Sequence, residues 1–79
     1  MTQGTTQNDR ALSNLEYDLL TALHNKAEAV KAYETYIQDA EHMQSQPCAE
    51  LFRKLREQDI QTAQEIRHHL QQVMKDGKM

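Results

Sequence analysis

Apolar residues recur three and four positions apart along almost the whole chain, and a single proline interrupts them. Leu12, Leu15, Leu19, Ala22, Leu23, Val30, Tyr33, Ile37 and Ala40 make a first run, and Cys48, Leu51, Phe52, Leu55, Ala63, Ile66, Leu70 and Val73 make a second. That spacing places each run on one face of an α-helix and does not fit the period of two that a half-buried strand needs. Between the runs the pattern lapses into Met43-Gln44-Ser45-Gln46, and Pro47 follows. Proline suits the first turn of a helix, where its missing N–H has no partner to lose. The predicted chain is therefore all-α, with helix one over about 12–42, a turn over about 43–46 and helix two over about 47–75.

The ends of this unit carry their own signals. Asp9 offers an early cap for helix one, and Ser13-Asn14-Leu15-Glu16 offers a later one with the Ser-x-x-Glu form of a capping box. Asp76-Gly77 closes helix two, because glycine accepts the left-handed conformation that follows a helix. Residues 1–8 are polar and without periodicity and read as a tail, as do 77–79.

Two helices of similar length joined by a short turn lie antiparallel. Each would be ~40 Å long at ~1.5 Å per residue, and each is amphipathic enough that the pair leaves apolar surface uncovered. At 79 residues the chain cannot bury a large core alone. Cys48 is its one cysteine, so no internal disulfide can help, and a reduced, cytoplasmic protein is expected. The expected partner is itself, as a homodimer, or another helical protein. Nucleic acid is not expected, since the net charge is −3 with both signs interspersed. Nor is a membrane: no apolar run approaches the length of a span, and the first residues lack the basic and apolar regions of a signal peptide.

The stripe has polar exceptions, and they cluster. Continuing the three-four spacing from Leu19 and Leu23 reaches Lys26 before Val30, while helix two passes from Leu55 through Asp59 and Thr62 before Ile66. In a hairpin turning near 43–46, Lys26 stands at about the height of Asp59 and Thr62. The middle of the predicted core thus holds a cation, an anion and a hydroxyl, and Lys26 and Asp59 are expected to pair.

Here the chain resembles a known family. Helix one reads Lys26-Ala27-Glu28-Ala29-Val30-Lys31-Ala32-Tyr33-Glu34-Thr35-Tyr36, and helix two reads Ala49-Glu50-Leu51-Phe52 and then Asp59-Ile60-Gln61-Thr62-Ala63. These segments are similar to the E-x-x-A-x-x-x-Y-x-x-[FY] and A-x-x-[IL]-F…E-x-x-H-A patterns of rubrerythrin and ferritin-like hairpins, over roughly 15–73. The resemblance implies half of a ferritin-like four-helix bundle, completed by dimerisation. It also implies a diiron site built from a Glu on each of two helices and a Glu-x-x-His on each of the others. Carried across, the first Glu falls on Lys26, the second on Asp59 and the His on Thr62. A charged ammonium has no lone pair to give a metal, and a hydroxyl is a poor substitute for imidazole. The expectation is a bundle without the diiron site or its chemistry, in which Lys26, Asp59 and Thr62 fill the place of the metals.

Other groupings have ordinary explanations beside their functional ones. Glu65-Ile66-Arg67-His68, with His69 next to it and Glu16 at a similar height, would make a displaced iron or zinc site; a surface Glu and His three apart is the commoner meaning. His24 and His42 fall off the stripe. Tyr33 and Tyr36 are expected to pack, with a hydroxyl reaching a carboxylate. Glu50 with Lys54 and Arg53 with Glu57 fit four-apart support on an exposed face. No Gly-rich phosphate loop or nucleophile-base arrangement stands out. The expected function is a non-enzymatic structural or protein-interaction module with no cofactor, the alternatives being the displaced metal site and a subunit of a heteromeric bundle.

Overall fold

A computed structural model of the chain describes residues 11–76. They form two helices, α1 over Asn14–His42 and α2 over Gln46–Asp76, which pack against each other as a hairpin. Among the described residues no helix is long and apolar enough to cross a membrane.

The first helix begins two residues later than its apolar pattern, because its cap decides the start. Ser13 holds an extended backbone and its hydroxyl accepts from the Glu16 N–H at 3.1 Å, while the Ser13 N–H donates to Glu16 Oε1 at 2.8 Å. Two otherwise orphaned donors are thereby satisfied. Leu12, placed on the helical stripe by the sequence, instead precedes the cap and lines one hollow with Tyr17, the positions of a hydrophobic staple. Asp9, the alternative cap, and Gly77, the expected stop, lie outside the described residues, as do both tails. Ser13→Ala should cost about 0.5–2 kcal/mol, the usual worth of such a cap. A fall in thermal midpoint, with Ser13→Asp restoring it, is the measurement to make.

The turn is a three-residue device. The Ser45 N–H donates to the Ala40 carbonyl at 2.8 Å and the Gln44 N–H to the Glu41 carbonyl at 2.9 Å. These are the two bonds of a Schellman ending, which needs a left-handed residue between helix and exit. Gln44 supplies it with φ 58, a place where glycine has no steric cost and glutamine does. Ser45 then opens α2, its carbonyl accepting from the Ala49 N–H at 3.0 Å and its hydroxyl from the Cys48 N–H at 3.4 Å. Pro47 sits in that first turn, without an intrahelical bond to lose.

Burial is thin. Among the described residues Ala40, Ala49 and Val73 are buried, and Val73 is the largest side chain fully covered. Leu19, Leu23, Val30, Tyr33, Ile37, Phe52, Leu55, Ile66 and Leu70 are only half-buried. Leu15 is 44% exposed, and Cys48 and Leu51, which the spacing put on the stripe, are exposed as well. The reason is geometric: each apolar arc is wider than the strip one neighbouring helix can cover.

Candidate functional site

Lys26 and Asp59 occupy the middle of the hairpin, each within one turn of the midpoint of its own helix. Helix α1 brings Lys26 up from the Leu19–Leu23 turn and α2 brings Asp59 down from Leu55, so the antiparallel pairing sets them side by side. Lys26 Nζ donates to Asp59 Oδ1 at 3.4 Å, with the lysine side chain 39% and the aspartate side chain 18% exposed. A pair this open to water contributes less than about 1 kcal/mol to stability. Its consequence lies in specificity: a half-covered carboxylate and ammonium penalise any packing that separates them from an opposite charge. Thr62 is half-buried one turn along α2, yet among the described residues it makes no side-chain hydrogen bond to either partner.

On either side of this centre the hairpin differs. Towards the turn, Tyr33, Tyr36 and Phe52 form an aromatic cluster with centroids 5.6–6.3 Å apart. Among the described residues neither tyrosine hydroxyl reaches a carboxylate, contrary to expectation, because the rings lean on one another instead. Tyr36, Ala40, Met43, Cys48 and Phe52 surround an open apolar groove of about 300 Å³. Across the same half of the hairpin, Arg53 pairs with Glu41, and Arg56 Nη2 donates to Glu34 Oε2 at 3.2 Å. Arg53 was expected to pair with Glu57 four residues on; the neighbouring helix supplies a nearer carboxylate. These two bridges were missed by reading each helix alone. For Arg56 and Glu34 the signal was present as opposite charges about equally far from the turn; Arg53 and Glu41 lie at different distances from it and gave none.

The displaced metal grouping does not assemble within the hairpin. Glu16 spends its carboxylate on the Ser13 cap, Glu65 is exposed, and His68 and His69 point to water with their rings 6.0 Å apart and nearly perpendicular. Among the described residues no three His, Cys, Asp or Glu side chains converge to hold a metal ion. His24 and His42 are exposed.

The ammonium and carboxylate at the centre stand 3.4 Å apart and partly open to water, an arrangement suited to pairing with opposite charges. No family model matches the chain, and no curated protein or solved structure matches it either.

Proposed function

We propose that the protein is a non-enzymatic interaction module that works as a homodimer, two hairpins closing face to face into a metal-free four-helix bundle. The observation that carries this reading is the half-covered apolar face, with three buried side chains among the described residues and rows of half-open Leu, Ile, Val and aromatic ones on both sides of the Lys26–Asp59 centre. A face ~40 Å long and two helices, or ~20 Å, wide offers about 800 Å², the area one partner contributes to a standard stable interface. At ~25 cal/mol per Å² of apolar surface, covering it supplies the stabilisation that so small a core lacks.

Lys26, Asp59 and Thr62 support the metal-free part, since none but Asp59 is a good ligand and a central ion pair needs no metal to neutralise it. The ferritin-like likeness supports the bundle too, since it implies half of a four-helix bundle completed by dimerisation. The exposed free thiol of Cys48 supports a reducing, cytoplasmic setting, where thiols are kept reduced. The outer charged surface then serves whatever larger protein the bundle docks against.

Light scattering combined with metal analysis tests this. The expected mass is about 18 kDa, twice the 9.2 kDa of one chain, with no stoichiometric metal. A stable helical monomer at micromolar concentration would overturn the dimer. Iron or zinc lost on His68→Ala would overturn the metal-free reading.

A further inference from the structure

Covered and half-covered residues alternate steps of three and four without a break, from Leu19 to Ala40 on α1 and from Ala49 to Val73 on α2. That seven-residue repeat is the seam by which the two helices hold each other. It leaves the hairpin two broad sides, and they differ in charge. One side is formed on α1 by Leu15, Ala22, Ala29 and Tyr36 and on α2 by Cys48, Leu55, Thr62 and His69. None of these carries a formal charge, histidine being neutral at pH 7. The other side is formed by Leu20, Ala27, Glu34 and Glu41 and by Arg53, Ile60, Arg67 and Met74. Across it run the bridges from Glu41 to Arg53 and from Glu34 to Arg56.

Resting on the homodimer proposed above, we infer that the second copy covers the uncharged side and leaves the bridged side facing outward.

Charge is the first reason. A copy seated on the bridged side takes Glu34, Glu41, Arg53 and Arg56 out of water, and exposed pairs such as these do not repay that desolvation. It also takes in Arg67, which makes no ion pair among the described residues. On the uncharged side Asp18, Asp39 and Glu65 stand one step further from the seam, at the rim, where interfaces keep their polar groups in water. Lys26 lies about 40–60° round α1 from Ala22 and Ala29 but about 100–120° from Ala27 and Leu20. Asp59 stands in the same way beside Leu55 and Thr62. The central pair is thus at the uncharged side's edge of the seam, and the second copy covers it as a matched pair.

Area is the second. The uncharged side runs the whole ~40 Å of the hairpin and offers the ~800 Å² that one partner gives to a stable interface. The bridged side is free of charge only from the open end to about Ala27 and Ile60, apart from Arg67. That stretch is ~20 Å long and offers ~400 Å², half of what is needed. The apolar groove of about 300 Å³ between Tyr36, Met43, Cys48 and Phe52 also opens on the uncharged side, with Met43 80% exposed. Aromatic residues and Met are the types that interface cores favour.

Ala27 and Ala29 separate the two sides cleanly. They flank the midpoint of α1, one on each side and about 160° apart round the helix, so the direction in which the second copy runs has little bearing on either. Sedimentation equilibrium should show Ala29→Arg weakening self-association by at least about ten-fold and Ala27→Arg changing it by less than about three-fold. A nitroxide on Ala27→Cys in a Cys48→Ser background should lie about 25–35 Å from its copy, across the full depth of the bundle. Equal effects of the two arginines, the reverse order, or label separations below about 20 Å would overturn the uncharged side as the interface while leaving the dimer standing. A mass of one chain at every concentration would overturn the homodimer itself.

Discussion

Val73→Asp abolishes the hairpin. Val73 is 1% exposed and is the largest side chain that the described residues cover completely, so a carboxylate there would be shut off from water. Burying an unpaired charge in place of a well-packed aliphatic group costs at least about 3 kcal/mol. A core this thin supplies only about 3–5 kcal/mol in total. The substitution therefore consumes most of the margin, and since two-helix packing is what sustains the isolated helices, both should melt together. Far-ultraviolet circular dichroism at room temperature should show a loss of most of the helical signal. Gln71→Asp, an exposed change two residues away, should move stability by less than about 0.5 kcal/mol. Retention of full helicity by Val73→Asp would mean that α2 presents a different face to α1.

The elements that local chemistry dictates were legible from the chain. Three-four spacing and Pro47 place both helices to within two residues at each described end, and the Ser13 to Glu16 box sets the start of α1 because its two bonds are local. What depends on the neighbouring helix was harder to read. Gln44 takes a left-handed conformation that no composition rule assigns to glutamine; the two Schellman bonds hold it there. Arg53 turned to Glu41 rather than along its own helix, because side-chain pairing follows the nearest carboxylate in space. Cys48 and Leu51 carry the spacing of core residues and are nevertheless exposed, since periodicity records that a residue belongs to an apolar arc and not which part of the arc one neighbour covers. The Lys26 to Asp59 proximity was readable, as both interrupt their stripes at about the same height in the hairpin.

That same interruption yields the second large effect. Lys26→Asp leaves two carboxylates in the middle of each hairpin, and four in a homodimer; Asp59→Lys leaves four ammonium groups instead. Either variant alone should weaken self-association by at least ten-fold, about 1.4 kcal/mol. The full penalty of desolvated like charges is larger, but a lysine site 39% exposed is screened by water and salt. Mixed in equal amounts, the two variants should recover dimer as a heterodimer, because each brings the charge the other lacks. The chain carrying both exchanges should dimerise alone, with the pair merely reversed. Sedimentation equilibrium of the single variants, their mixture and the double exchange makes the comparison, repeated at raised salt, where the singles should regain part of their loss. A mixture no tighter than either single variant would place the pair outside the interface. The four outcomes form a closed cycle, so a shape defect caused by either substitution appears in the mixture as well and separates from the effect of charge.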